Sequence, residues 1–283
     1  VQTGLANILP LIFTDLDGTL LDHHNYSSSP ADRLIAGLEA HNIAQIIPVT
    51  SKTRSELQAL RKDIPLNYAM GVTENGSVID DVDGIIGNDT GTPGTPHMHI
   101  LGLSSADILS AIATLPHDIR QHITGFSDMS VTEIAQSTGL SLESAKRAGK
   151  REASEPFSWS GSDQQMAALT AHMEAANIRV QRGGRFFHLT GHATKEMAMA
   201  RIAAAFADQA PDRDIVTIAL GDGPNDLAMI KAADYGVIMP NPDGVTISAN
   251  GPHIRIAPHP GPKGWNAAVQ NILSELGFNL SES

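Results

Sequence analysis

The sequence predicts an α/β protein built on a parallel sheet, with a smaller α+β domain inserted into it. Three observations carry this reading. Short apolar runs alternate with helical patterns near the N-terminus, and the same alternation returns after residue 195. Between the two lies a stretch of different rhythm that opens on the Gly/Pro/Thr-rich residues 87–96.

Residues 9–14 read as a buried strand that ends where Asp15-Leu16-Asp17-Gly18-Thr19 breaks the apolar run. A helical pattern over 30–41, an apolar run over 43–49 and a second helix over 53–62 complete right-handed βαβ units. In the middle, helices are expected over 106–115, 131–136, 142–150 and 163–176, the last opened by Ser162 and Gln165 at capping-box spacing. Residues 178–181 and 185–189 flank Gly183-Gly184, which is a hairpin signal. Beyond 195 the order is helix 195–208, strand 215–220, helix 225–233, strands 235–239 and 253–257, and helix 265–276. The expected division is a core of 1–86 and 191–283 with an inserted domain of 87–190.

Composition excludes several classes. The 283 residues are 41% hydrophobic and 18% charged, an ordinary globular balance. The 19 basic and 31 acidic residues give a net charge of -12. These charges are spread along the chain, so there is no basic field for nucleic acid or an anionic membrane. Without cysteine there is no disulfide framework, thiolate metal site or cysteine nucleophile. No basic segment followed by an apolar stretch opens the chain, and no run of about 18 apolar residues occurs, so a soluble cytoplasmic protein is expected.

The chemistry-bearing residues fall at predicted strand ends. Asp15 and Asp17 lie two apart at the carboxyl edge of the first strand, where ligands bind in open α/β sheets. There two carboxylates can divide the work of nucleophile and acid; the alternative is a solvated acidic turn. Gly221-Asp222-Gly223-Pro224-Asn225-Asp226 repeats the strand-end setting, and Asp222 and Asp226 offer hard oxygens suited to Mg²⁺. Asn225 would serve equally as a helix N-cap, with Asp226 favourable in the first turn. Strands ending in such loops would bring four carboxylates together, whose repulsion needs a cation or protons. Thr50 and its neighbours, after a third strand, could donate to phosphate oxygens or cap a helix. Lys195, at a helix start, sits where the macrodipole is already positive, which an anion nearby would relieve; the alternative is a solvated surface lysine.

In this order these pieces resemble the motifs of the haloacid dehalogenase superfamily: DxDGT at Asp15–Thr19, a Thr/Ser after the second strand, a lysine, and a GDxxND variant at Gly221–Asp226. The resemblance implies a Rossmann-like core with an inserted α+β cap of the C2 type, and an Mg²⁺-dependent phosphatase working through a phosphoaspartate. It implies Asp15 as nucleophile, Asp17 as general acid/base, and Thr50 and Lys195 as phosphate holders. Asp15, Asp17 and Asp222 become metal ligands, with Asp226 and Asn225 supporting them.

The second motif reads Val49-Thr50-Ser51-Lys52-Thr53, where the sugar-phosphatase branch commonly has A-T-G-R. This run, with Glu74-Asn75-Gly76, the 151–157 stretch and Gly184–Leu189, is similar to mannosyl-3-phosphoglycerate phosphatases. The implied substrate is a small phosphorylated glycoside carrying a carboxylate, for which Ser51, Lys52, Glu74, Asn75, Gly76, Arg151, Ser154, Arg185 and His188 are candidate binding residues. An arginine fork suits a carboxylate, although Lys146, Arg147, Lys150 and Arg151 at helical spacing also fit a solvated face. His188 is alternatively a hydrogen-bonded residue of the cap's own core, and Trp159 and Trp265 need no role beyond packing. Other readings are a phosphatase of glucosyl-3-phosphoglycerate or sucrose phosphate, a phosphomutase, and a non-catalytic sugar-phosphate sensor.

Overall fold

The computed structural model describes residues 7–62, 64–87, 97–183, 185–241 and 247–278. The expected linker at 88–96 and Gly184 of the hairpin signal lie outside them. The chain opens with β1 (Ile8–Thr14), α1 (Ser29–Ala40), β2 (Gln45–Pro48) and α2 (Arg54–Leu60). β3 (Met70–Thr73), β4 (Val78–Asp81) and β5 (His97–Ile100) follow. The inserted region holds α3 (Ser105–Ala113), α4 (His117–Arg120), β6 (Ile123–Gly125), α5 (Val131–Thr138) and α6 (Leu142–Ala148). It continues through β7 (Ser154–Trp159), α7 (Asp163–Ala175), β8 (Arg179–Arg182) and β9 (Phe187–Thr190). The chain then returns through α8 (Lys195–Gln209), β10 (Asp214–Gly221), α9 (Leu227–Ala232), β11 (Tyr235–Ile238), β12 (Ile254–Ile256) and α10 (Gly261–Glu275).

The main sheet is parallel, in the order β12-β11-β10-β1-β2. β1 is central because it is apolar on both faces: Ile12 points into the layer of α1 and α10, Leu11 and Phe13 into the layer of α8. α1 buries Ala31, Leu34, Ile35 and Leu38, the 3.6-residue stripe that docks a helix on a sheet. The register then fixes the site. Thr14 pairs with Leu220 on one side and Pro48 on the other, so the chain leaves β1, β2 and β10 at one level of the carboxyl edge. Trp265 of α10 is fully buried beneath that edge, and its indole N–H donates to Thr14 Oγ1 at 3.0 Å. Packing is therefore not its whole contribution.

The inserted region forms an antiparallel sheet, β6-β7-β9-β8, covered by α3 and α7 through Ile108, Ile112, Leu169 and Met173. α5 and α6 pack as a separate pair over Phe126, Ile134 and Ala145. The fold class is the expected α/β core with an α+β cap. A third, antiparallel sheet, β3-β4-β5, was not expected. Its β4 hides two carboxylates, Asp80 and Asp81, and its β5 reads His-Met-His-Ile, so neither shows apolar alternation. β5 follows the 87–96 stretch yet pairs with β4.

Other differences are local. The expected helix 225–233 is a 3₁₀ turn, Pro224–Asp226, followed by α9. α6 stops at Ala148, so Lys150 and Arg151 do not continue a helical face. β7 was missed because Ser154-Glu155-Pro156 is polar and holds a proline; Pro156 lies beyond the last pair with β6, where a strand is one-sided. The hairpin closes with Gly183 N–H donating to Phe186 O at 2.9 Å, which leaves Arg185 in the turn rather than in β9.

Replacing Trp265 by Phe keeps most of the packing and removes the indole donor to Thr14 Oγ1. A loss of about 0.5–1.5 kcal/mol is expected in urea unfolding, the net worth of that hydrogen bond, since the Thr14 hydroxyl still donates to Asp15 O at 2.7 Å.

Candidate active site

Lys195 organises the carboxyl edge. It is the first residue of α8 and belongs to that helix's buried stripe with Ala198, Met199, Ile202 and Phe206, so the helix carries it inward. Its ammonium donates to Asp15 Oδ1 at 2.6 Å, Asp226 Oδ1 at 2.6 Å and Val49 O at 3.1 Å. The two carboxylates relieve the unfavourable dipole at the helix start. Burial alone would lower the lysine pKa, but Asp15 and Asp226 outweigh it and hold the pKa above the ordinary value.

Asp15, Asp222 and Asp226 each bring a carboxylate oxygen within 4.8 Å of the others. Asp226 Oδ2 also accepts the Gly223 N–H at 2.9 Å, and Asp222 Oδ2 accepts Asn241 Nδ2 at 2.6 Å. Burial pushes Asp15 up to about 7, with Lys195 opposing and the Asp226 and Asp17 charges adding. Burial, then Asp226, also raises Asp222, against the Asn241 hydrogen bond. Three carboxylates face one ammonium, so the cluster keeps a negative surplus. Hard oxygens with that surplus are the donor set a divalent cation takes, and Asp15, Asp222 and Asp226 would hold it.

Asp17 stands apart from this trio. Its Oδ2 is bonded to the Lys52 ammonium, while its buried Oδ1 has no hydrogen-bond partner among the described residues. Lys52 would be lowered by burial, but the Asp17 charge prevails and raises its pKa. Gly18, at φ +78°, lets the loop pass under Asp222; a Cβ there would lie 2.7 Å from Asp222 Oδ2. Thr50 is buried, and its Oγ1 accepts the Lys52 N–H at 3.2 Å. Thr53, not Thr50, is the N-cap of α2; it closes a capping box with Glu56 and donates to Arg147 O of the cap at 2.9 Å.

Several of the other candidate residues are bonded to protein partners. Glu74 is buried, and its carboxylate accepts the N–H of Glu152 at 2.8 Å and of Ala153 at 3.2 Å, and the Ser154 hydroxyl. Asn75 Oδ1 accepts Asn225 Nδ2 at 3.0 Å. Glu74, Asn75 and Gly76 have φ of +50°, +58° and +105°. For the two non-glycines this conformation costs on the order of 1 kcal/mol or more each, which surrounding contacts must offset. Arg151 donates to Ala148 O at 2.9 Å and to Ser51 O at 3.2 Å. Ser51 thus meets the cap through its backbone. Arg185 is exposed and bonds the carbonyls of Ser137 and Thr138, the end of α5, so it is not brought to the core. His188 is half-buried; burial, then Arg151, pushes its pKa down to about 4, so it is neutral at pH 7.

Between cap and core lies a cleft of about 230 Å³, bordered by Glu74, Asn75, Lys195 and Asn225 below and by Arg179 and Gln181 above. Arg179 and Gln181 alternate on β8, a strand expected over 178–181 whose side chains were assigned no role. Asn241 was also missed, although it follows the end of β11, where the strand-edge rule would have pointed. A recess of about 210 Å³ between Glu39, Gln45, Tyr68 and Asp83 touches none of the motif residues.

Two outcomes follow from the buried charges. Lys195→Met strands Asp15 and Asp226, so unfolding at pH 8 should show a loss of about 3–5 kcal/mol, shrinking at pH 5 as Asp15 takes up a proton. In metal-free protein the raised Asp15 pKa means that the folded state binds a proton the unfolded chain lacks between pH about 4 and about 7. Its contribution to stability therefore falls as pH rises through that window. Asp15→Asn should gain on the wild type from pH 4 to 7 and hold its lead above; a constant difference would contradict the assignment.

A family model of haloacid dehalogenase-like hydrolases matches residues 12–115 and 141–250. Several solved structures share the fold at low identity. A haloacid dehalogenase-like hydrolase from Bacteroides thetaiotaomicron is 17% identical with a TM-score of 0.63, covering 93% of this chain and 99% of its own. A phosphatase of the haloalkanoate superfamily from the same organism is 17% identical with a TM-score of 0.61, covering 98% of each chain. The sucrose-phosphatase of Synechocystis, solved with sucrose and phosphate, is 16% identical with a TM-score of 0.56, covering 95% and 98%. With most of the chain inside the family model and the acidic motifs converging on Lys195, the protein belongs to the haloacid dehalogenase-like hydrolases.

Proposed function

We propose that this chain is an Mg²⁺-dependent phosphomonoester hydrolase that works through a phosphoaspartate on Asp15, and that its substrate is a phosphorylated glycoside of the mannosyl-3-phosphoglycerate kind. The observation that carries the reaction type is the buried Lys195 ammonium bridging Asp15 and Asp226 inside a cluster of three carboxylates. Such a centre, once a divalent cation offsets its negative surplus, can face the anionic oxygens of a phosphate. In this reading the cap begins after β5 and runs to Thr190.

With Lys195 on Oδ1, Asp15 Oδ2 attacks phosphorus and the bond to the leaving alcohol breaks. Asp17 gives that oxygen its proton, then takes one from the water that attacks the phosphoaspartate, releasing inorganic phosphate and restoring Asp15. The Thr50 hydroxyl donates to the transferring oxygens, and the Lys195 ammonium, its donors held by Asp15, Asp226 and Val49, stabilises their charge through space. Mg²⁺ bound by Asp15, Asp222 and Asp226 would supply charge neutralisation there. Lys52 starts paired to Asp17 and beside the Arg151–Ser51 contact. It is placed to meet a second anionic group such as a carboxylate.

The glycoside reading is supported by the Thr50–Thr53 run and by the cationic cleft edge at Arg179. A sucrose phosphate substrate is the rival, favoured by the fold shared with sucrose-phosphatase.

The test is phosphate release from mannosyl-3-phosphoglycerate, glucosyl-3-phosphoglycerate, sucrose 6-phosphate and hexose phosphates, with Mg²⁺ and with chelator. Release is expected only with the metal, and best from the glyceryl glycosides. Asp15→Asn should reduce it to background, and Asp17→Asn should lower kcat by about 10²–10⁴-fold. Metal-independent turnover, or full activity in Asp15→Asn, would remove the mechanism.

A further inference from the structure

The tripeptide Glu74-Asn75-Gly76 touches the second, third and fourth motifs at once. Glu74 N–H donates to Lys52 O at 3.0 Å and Asn75 N–H to Thr50 O at 3.0 Å, which ties it to the second motif. Asn75 Oδ1 holds Asn225 of the acidic loop. Gly76 lies against the Thr194–Lys195 peptide so closely that a Cβ would sit 2.2 Å from Thr194 C. The Glu74 side chain alone leaves the core: its two oxygens take the Glu152 and Ala153 N–H groups and the Ser154 hydroxyl at the entrance of cap strand β7.

We propose that Glu74 is a positioning residue that seats the cap on the active centre, its carboxylate holding the first residues of β7 while the strained backbone of 74–76 fixes that carboxylate against the second, third and fourth motifs. The sequence had suggested substrate contact for Glu74 and Ser154. The geometry points instead to a joint, because both are buried and bonded to each other. Chain economy favours the same view. A left-handed glutamate is uncommon, and such outliers persist where surrounding structure over-determines them. Here those contacts include the cap's own N–H groups.

The joint also carries a second carboxyl. Glu152 lies within hydrogen-bond reach of Glu74 and faces one cation, Arg54, at 3.6 Å. Its buried Oε2 meets no hydrogen-bond donor among the described residues. Burial first, then the neighbouring Glu74, pushes its pKa up to about 7. Below that pH Glu152 keeps a proton to share with Glu74; above it two carboxylates face each other across the joint, and Arg54, which also pairs with the buried Asp80 at 3.5 Å, cannot offset both. Cap seating is therefore tightest on the acid side of pH 7.

Glu74→Gln is the test. The isosteric amide keeps one acceptor oxygen but turns an NH₂ toward donors on its other side. Amide hydrogen exchange read by mass spectrometry should rise at least tenfold, after correction for intrinsic rates, in peptides covering 150–160, with the peptides of β1 and β10 unchanged. Ser154→Ala, which leaves the core untouched, should raise it about threefold, and the double variant should exceed Glu74→Gln alone by less than that. This readout does not depend on the proposed activity. The kinetic readout rests on it: KM for the glyceryl glycosides should rise at least tenfold relative to that for p-nitrophenyl phosphate, and wild type should lose this selectivity as pH passes about 7 while Glu74→Gln shows no such step.

A wild type inert on every substrate would sink the functional reading and leave the exchange test standing. Unchanged cap exchange in both variants, or loosening spread equally over core and cap, would overturn the joint.

Discussion

The Lys195 ammonium is the constraint on which the rest of the edge depends. It joins Asp15 at the end of β1, the carbonyl of Val49 after β2 and Asp226 after β10, residues up to 180 positions from it in the chain. An unpaired ammonium in that position would cost several kcal/mol, so the fold is bound to bring the acidic loops to it. The same contact explains why α8 begins where it does. The chain returning from the cap must deliver a lysine into the sheet's edge at once, and Thr194 caps the helix by accepting the Met197 N–H at 3.2 Å.

Much of this was legible in the sequence because the core obeys its period. β1 and β10 are apolar runs ended by Asp-Leu-Asp-Gly and Gly-Asp-Gly-Pro, and parallel pairing at one register turns those endings into one site. What stayed hidden follows from polar groups used structurally. β4 and β5 bury Asp81 against the Ile85 and Ile86 N–H groups and beside His99, an arrangement that alternation rules read as loop. Trp265 looked like packing, since a hydrogen bond to Thr14 on the far side of the sequence has no local signal.

The candidate binding residues divide for a related reason. Motif residues at strand ends are placed by the sheet and converge. Arg185 sits in a hairpin turn whose nearest acceptors are the carbonyls ending α5, and a helix C-terminus attracts a guanidinium whatever the protein does. Residue type alone could not separate Arg185 from Arg179, which borders the cleft from the adjoining strand; only the register of β8 against β9 does so.

Charge counting explains why the centre needs something from outside. A lysine ammonium has three donors, and Lys195 has used them on Asp15, Asp226 and Val49. The Gly223 N–H and the Asn241 amide occupy one oxygen each of Asp226 and Asp222, but they bring dipoles and no net charge. Lys52, the next cation along, is committed to Asp17. The surplus on Asp15 and Asp222 can therefore be settled only by protons or by a cation. With Asp15 poised at about 7, the two compete within the neutral range, so a small change in pH shifts the centre between holding a proton and holding an ion. A centre balanced in this way can exchange a proton for a divalent cation without any other charge having to move.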